Sequence, residues 1–219
     1  VLPPTSVTRA KLVRALRCSD INVPPTQPPV IPGETIFAEP PAYPEGHLRN
    51  HASRLHARSA VDVWGWTSEL LQGCYRHALG IEFLERLACL VQQGAAQLLP
   101  SDLLSHMLLT VRVIPLEKSN NRARPIAVGT VLKKWATAAL MAQDREAARR
   151  ATGPYQYGVG LPGGSERLIH QLAGNHSAET DYAMVQIDAS DAFCTVSRSR
   201  IFEQIQKHLP HLTGYAAWA

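Results

Sequence analysis

The 219-residue sequence has few cysteines and no long apolar segment. Its four cysteines show no CxxC spacing and have no close partner; they are Cys18, Cys74, Cys89 and Cys194. Neither a zinc ribbon nor a disulfide framework is therefore predicted, and we expect reduced, structural thiols. No apolar run approaches the roughly 20 residues that span a bilayer, and Pro, Arg and Lys interrupt residues 1–20, unlike a secretory signal. We expect an intracellular protein without a membrane span.

The charge of the chain has only a small excess of one sign. Lys and Arg number 22 against 18 Asp and Glu, which gives a formal net charge of +4. This balance suits a polyanionic partner without requiring one. The first residue is Val1 rather than Met, so a removed transit peptide is one explanation. The expected compartment is therefore an organelle (mitochondrial) assembly or the nucleus.

The distribution of proline divides the chain into two parts. Ten of the 16 prolines fall in residues 1–46, where they interrupt helices and favour extended backbone. Within this arm, Val7–Arg17 has basic residues between apolar ones at helical spacing, which predicts a short basic helix. That helix is either a solvated face or a docking site for RNA or a partner. The chain as a whole is 45% hydrophobic, enough to bury a core, and residues 47–219 form the predicted globular domain.

Within residues 47–219, the hydrophobic pattern predicts an α+β fold. Helices are predicted over Glu45–Arg58, Thr67–Gln97, Thr130–Arg150 and Val196–His208, and a further helix begins at Ser165. Thr67–Gln97 is predicted to form two helices broken near Gly80, Ser165 is the predicted N-cap of its helix, and Pro210 stops the last helix. The predicted strands are Leu108–Leu116 and Arg124–Val128 around the turn Glu117–Arg122, and the buried strand Tyr182–Ile187. A glycine loop, Gly158–Gly164, precedes the Ser165 helix.

The segment after the last predicted strand carries the most informative chemistry. The apolar strand delivers Asp188 at its end, and Asp191 follows one turn later. Two-metal phosphoryl transfer needs carboxylates on a rigid element, because Mg²⁺ prefers oxygen ligands in near-octahedral geometry. Spacing alone leaves a second interpretation open, in which Asp191 only caps the following helix.

The run Val185-Gln-Ile-Asp-Ala-Ser-Asp-Ala-Phe-Cys-Thr-Val196 resembles motif A of reverse transcriptases. The resemblance implies that Asp188 is a catalytic residue and binds the metal ions. It also implies that Asp191 lies beside the incoming triphosphate, and that Phe193 is the steric gate beneath the sugar 2′ position.

Three further segments resemble the same family, in the same order along the chain. Ile114–Val128 is similar to its fingers hairpin, which implies that Lys118 and Arg124 contact the nucleotide phosphates, as a mobile point charge and a rigid fork. Trp64–Leu71 is similar to the Gly-Trp-Thr segment of non-LTR retrotransposon polymerases. Gln156–Glu166 is similar to their glycine loop, which lies near the template; the template or RNA contacts implied are Gly158, Gly160, Gly163 and Gly164. The resemblance covers about residues 50–208.

Two other functions suggested by short patterns are rejected. The glycine loop fits a dinucleotide-binding pattern, but that pattern requires a strand before its first glycine, and Glu146–Tyr157 is a polar helix end with Gly153-Pro154. The group His47, His51 and His56 has near-helical spacing, but no cysteine or carboxylate completes a metal-ligand set.

The sequence departs from the family in two places. It contains no second aspartate motif after Asp191, and one aspartate does not hold two metal ions. In addition, Ala60–Trp64 replaces a Lys and a Pro-Gly-Pro run of the relatives. The expected fold is thus an incomplete right-hand polymerase: helical fingers with a β-hairpin, the first palm strand and a proline-rich arm.

The expected function follows from this incomplete fold. We expect a truncated or domesticated reverse-transcriptase fragment, non-catalytic alone, that serves as an RNA-binding or scaffolding subunit of a larger ribonucleoprotein or multiprotein assembly. The alternative is the N-terminal half of an active RNA-directed DNA polymerase, completed by further sequence or another chain. Mg²⁺ is expected only if the active site is completed, and no small-molecule cofactor is expected. The partners are RNA, protein subunits, or both.

Overall fold

A computed structural model describes residues 40–57, 60–94, 102–118, 122–178, 183–189 and 196–218. The proline-rich arm up to residue 39, with its predicted helix Val7–Arg17, lies outside them. The helices are α1 (His47–Ser53), α2 (Ser68–Cys74), α3 (Ala78–Gln92), α4 (Asp102–Leu109), α5 (Val131–Gln143), α6 (Arg145–Thr152), α7 (Gly164–Ala178), α8 (Arg198–His208), a 3₁₀ turn (Pro210–Leu212) and α9 (Thr213–Trp218). Among the described residues, every helix is too short or too polar to cross a lipid bilayer.

Helix α5 is the centre of the hydrophobic core. Its apolar residues recur at helical spacing and are fully or nearly buried; they are Val131, Leu132, Trp135, Ala136, Ala139 and Leu140. This stripe packs against α1, α2, α3 and α4. The indole Nε1 of Trp135 donates to the carbonyl of Leu48 at 3.1 Å, so the largest core side chain leaves no polar atom unpaired.

The last residues of the predicted arm are attached to this core. The Gln92 side chain donates to the Pro41 carbonyl at 2.8 Å, and the Gln143 side chain donates to the Ala42 carbonyl at 3.0 Å. The Tyr43 ring stacks on His47 with centroids 5.7 Å apart. Residues 41–43 therefore bridge α3 and α5, and the packed region begins before residue 47.

The predicted hairpin is present. Strands β1 (Val111–Lys118) and β2 (Arg122–Gly129) pair antiparallel in a two-stranded sheet, with Ile114 opposite Ile126 in the register. Together with the predominant helices, this sheet agrees with the predicted α+β class. The predicted first strand began too early, because Leu108 and Leu109 end helix α4 and Leu108 is buried in the helical core.

The predicted helix break near Gly80 was wrong. Helix α2 ends at Cys74 and α3 begins at Ala78, so the break covers residues 75–77 and Gly80 lies inside α3. A Cβ atom at Gly80 would lie 2.3 Å from the Cys74 carbonyl oxygen. The glycine permits the close approach of two consecutive helices and does not interrupt one of them.

The boundaries of the later helices also differ from prediction. The predicted Thr130–Arg150 helix is divided at Asp144 into α5 and α6. The predicted N-cap Ser165 was wrong, because the Gly163 carbonyl already accepts the Arg167 N–H at 2.9 Å and α7 begins at Gly164. Ser197, one residue inside the predicted last helix, is the true N-cap of α8, and its hydroxyl accepts the Arg200 N–H.

The predicted buried strand Tyr182–Ile187 was also wrong over its described part. Residues 183–189 have no regular secondary structure, and the side chains of Met184, Val185 and Ile187 are 70, 79 and 88% exposed. A strand needs a neighbour to receive its backbone hydrogen bonds. Within the described residues the only sheet is the β1–β2 pair, which offers this segment no such neighbour.

Candidate nucleic-acid interface

The hairpin gathers basic residues on one of its two faces. In the antiparallel register, Lys118 pairs with Arg122 and Leu116 with Arg124. Because cross-strand partners share a face and residues two apart return to it, the backbone assigns Lys118, Arg122 and Arg124 to the same face near the turn. Glu117, the acidic residue of this part of the ladder, belongs to the other face. Lys118 and Arg124 were predicted from the sequence and Arg122 was not, although the period-2 pattern could have revealed it.

Asp62 anchors the base of the hairpin to the core. Its Oδ1 accepts the N–H groups of Trp64 and Trp66, and its Oδ2 accepts the N–H of Val131, each at 2.9 Å. Val131 is the first residue of α5, directly after β2, and a negative charge there is favoured by the helix dipole. Thr130 is the N-cap and accepts the Lys133 N–H through its hydroxyl.

This contact gives a structural role to a segment that the sequence analysis treated only as a departure from the family. Asp62 belongs to Ala60–Trp64, and the turn that it closes leads to Thr67, the N-cap of α2. The signal for it was local: an aspartate that precedes a tight glycine turn readily accepts backbone N–H groups a few residues later. Its long-range bond to Val131 has no signal in the sequence.

At several positions the glycine loop has a backbone conformation or a close contact that only glycine permits. Gly160 and Gly163 have φ values of 70° and 64°, in the left-handed region. A Cβ atom at Gly164 would lie 1.8 Å from the Tyr157 carbonyl oxygen. The N–H of Gly158 donates to the Gln156 side chain at 2.7 Å. The predicted loop is therefore a compact, backbone-rich surface between α6 and α7.

Tyr157 links the glycine loop to α7. Its hydroxyl donates to the Gln171 side-chain oxygen, two turns into the helix. Gly158, Gly160 and Gly163 are exposed, so the loop that follows this tyrosine presents backbone groups at the surface. Such a surface allows the backbone of a ligand to approach closely.

Asp188 lies on the exposed segment 183–189. In the described part of the chain it makes no hydrogen bond or ion pair. The other two predicted nucleotide contacts, Asp191 and Phe193, lie outside the described residues. Hydrogen bonds and ion pairs of the described chain do not join Asp188 to the hairpin or to the glycine loop.

The residues that the structure describes do not form a metal site with Asp188. Within the described ranges, no group of three or more His, Cys, Asp or Glu side chains is arranged to hold a metal ion. One residue of the rejected histidine group, His47, has a structural role. Its Nε2 lies 2.8 Å from the Ala139 carbonyl oxygen, and because a carbonyl only accepts a hydrogen bond, this nitrogen is the donor. One exposed carboxylate does not fit the two Mg²⁺ ions of a polymerase.

No protein-family model, curated protein or solved structure matches this chain. The resemblance to reverse transcriptases therefore rests on the four motifs of the sequence. What the geometry adds is a basic hairpin face, a firm attachment of that hairpin to the core, and an exposed glycine loop.

Proposed function

We propose that residues 47–219 form the fingers and the motif A part of a reverse-transcriptase-type domain. In this proposal the protein binds RNA as a subunit of a larger ribonucleoprotein or multiprotein assembly and does not polymerise by itself. The observation that carries the proposal is the hairpin register, which assigns Lys118, Arg122 and Arg124 to one face. Closely spaced cations on a two-stranded ribbon suit phosphate groups, and arginine adds two-point contacts.

The assembly part of the proposal is supported by apolar surface around Asp188. Met184, Val185 and Ile187 are all more than two-thirds exposed. Helix α7, which precedes them, also exposes Ile169 at 64%. Contiguous apolar residues that face water usually mark an interaction surface. We infer that further protein covers this part of the domain in the assembly.

RNA binding by the 219-residue chain is tested by fluorescence anisotropy with a 20-nucleotide single-stranded RNA at several salt concentrations. Each phosphate contact contributes about −0.7 to the slope of log affinity against log salt. The variant K118Q/R124Q is expected to make that slope shallower by about 1.4. The control R86Q/R200Q removes two charges that are exposed and already paired with Glu82 and Glu203, and is expected to retain the slope. No binding, or a flat salt dependence, contradicts the RNA-binding proposal.

A second function, RNA-directed DNA synthesis in a completed active site, is favoured by one observation. Asp188 is retained at the end of an apolar segment whose exposed side chains have room for neighbouring palm strands. If further sequence or another chain supplies those strands, Asp188→Asn abolishes primer extension by the assembly. Under the non-catalytic proposal the assembly shows no extension, and the same substitution leaves its composition unchanged by native mass spectrometry.

A further inference from the structure

A second group of basic residues lies at the end of α1 and the start of α6; the bond from His47 to the Ala139 carbonyl, at 2.8 Å, holds α1 beside the end of α5, which leads into α6. The His47 and His51 rings are tilted against each other with centroids 4.8 Å apart. Arg54 follows as the C-cap of α1, and Arg145 is the first residue of α6. Arg54 and Arg145 are exposed, and His51 is half-buried.

Arg54 and Arg145 both act electrostatically on His51. Burial lowers the pKa of His51, and His47, Arg54 and Arg145 lower it further by disfavouring its protonated form. In the described part of the chain, no carboxylate forms an ion pair with His51, Arg54 or Arg145. The positive charges of Arg54 and Arg145 are therefore not neutralised by an ion pair within the described chain.

The position of Arg145 is unfavourable for the stability of its own helix. A cation in the first turn opposes the helix dipole, and Asp144, which precedes it, is engaged with His211 at 2.8 Å. Arg54, by contrast, lies at a helix C-terminus, where the dipole favours a cation. The charge of Arg145 therefore does not stabilise α6 through the helix dipole.

Arg145 connects this cluster to the glycine loop. A Cβ atom at Gly160 would lie 3.5 Å from the Arg145 Cγ, so the arginine stem lies against the loop backbone. One helical turn later, Arg149 is on the same side of α6. An open pocket of about 330 Å³ is lined there by Glu146, Arg149, Arg150, Gly153 and Pro154. The basic side chains therefore form a row along α6 and do not enclose a single binding site.

We propose that Arg54 and Arg145 bind phosphates of an RNA strand, whose path continues beside the glycine loop toward Arg149. This inference rests on the proposed RNA-binding function and adds a second contact surface to it. Arg54 and Arg145 form no ion pair within the described chain, and Arg149 forms only an exposed one, with Glu146 at 3.9 Å. Cations spread along a surface suit a polyanionic backbone, whereas a single free anion would need an enclosed set of donors.

The test is the salt dependence of RNA affinity for the variant R54Q/R145Q, measured by anisotropy with the same 20-nucleotide RNA on the 219-residue chain. Two lost phosphate contacts make the log–log slope shallower by about 1.4, so the ratio of wild-type to variant affinity falls about sevenfold between 50 and 200 mM salt. The control R86Q/R200Q changes the net charge equally and is expected to leave the slope unchanged. Circular dichroism spectra verify that each variant is folded.

The outcomes separate this inference from the proposed function. If the wild-type chain binds RNA with a steep slope and R54Q/R145Q retains that slope, the second surface is refuted and the hairpin proposal stands. An equal loss in R54Q/R145Q and in R86Q/R200Q also refutes the second surface, because net charge alone then explains the effect. If the wild-type chain does not bind RNA, both proposals fail.

Discussion

Substitution of Asp62 tests how the hairpin is attached to the core. Its carboxylate accepts three backbone N–H groups at 2.9 Å, from Trp64, Trp66 and Val131. The substitution Asp62→Asn keeps an oxygen in the Oδ1 position, so the two tryptophan N–H bonds can remain. It replaces Oδ2 with an amide NH₂ group that faces the Val131 N–H, so two donors face each other and the hydrogen bond from Val131 is lost.

The size of the effect follows from these contacts. A hydrogen bond to a charged group contributes about 1.5–3 kcal/mol, and Asp62→Asn removes one of them. We expect the free energy of unfolding to fall by about 1.5–3 kcal/mol. Asp62→Ala leaves two half-buried donors, those of Trp66 and Val131, without their acceptor, at a cost of about 2–6 kcal/mol. These losses are large against a typical stability of about 5–15 kcal/mol.

Urea unfolding followed by circular dichroism measures both variants. With a slope near 2–3 kcal/mol per molar urea, roughly the value for a domain of this size, the Asp62→Asn midpoint falls by about 0.5–1.5 M. The control is Glu82→Gln, which removes an exposed ion pair with Arg86 and is expected to shift the stability by less than about 0.5 kcal/mol. If Asp62→Asn is no less stable than Glu82→Gln, the anchoring role of Asp62 is refuted.

Two further predictions concern the glycine loop and His51. Gly164→Ala places a methyl group 1.8 Å from the Tyr157 carbonyl oxygen, so we expect faster amide hydrogen exchange in residues 156–170. The control is Gly174→Ala in the same helix, whose added methyl group meets nothing within 4 Å. This control is expected to slow exchange, because alanine favours helix. Equal exchange in the two variants would contradict the tight loop. The folded-state pKa of His51 lies below its ordinary 6.5, so between these two pKa values the unfolded chain binds more protons at His51 than the folded chain does. The free energy of unfolding therefore decreases as pH falls through about 6.5, and the loss is complete below the folded-state pKa. His51→Gln is expected to flatten urea midpoints between pH 7 and 5, and an unchanged pH dependence in His51→Gln would refute the cluster.

Local composition and apolar pattern predicted the elements that are present. Thr130–Arg150 has strong helix formers, and the run Leu108–Leu116 is rich in branched apolar residues, so α5 and the hairpin were both predicted. The prediction of two helices between Thr67 and Gln97 came from apolar residues at helical spacing and was confirmed. Their boundary was placed near Gly80 because glycine disfavours helix, whereas close packing against Cys74 determines its position.

Long-range contacts could not be predicted from local pattern. Tyr182–Ile187 has strand-like composition, but a strand also depends on a neighbour elsewhere in the chain or assembly. The bond from Asp62 to Val131 joins residues 69 positions apart, and the approach of Arg145 to Gly160 depends on how α6 leaves the core. The basic hairpin face required only a period of two once the register was known. The roles of Asp188, Asp191 and Phe193 remain predictions from the resemblance.

The most direct test of the central claim is to map where RNA touches the chain. A single-stranded RNA containing 4-thiouridine is cross-linked by ultraviolet light to the 219-residue protein, and the modified peptides are identified by mass spectrometry. Cross-links are expected within the hairpin, residues 111–129, and within the glycine loop, residues 156–164. Cross-links confined to other elements, such as α3, or no cross-links under conditions of saturating RNA, would contradict the proposed RNA-binding surface.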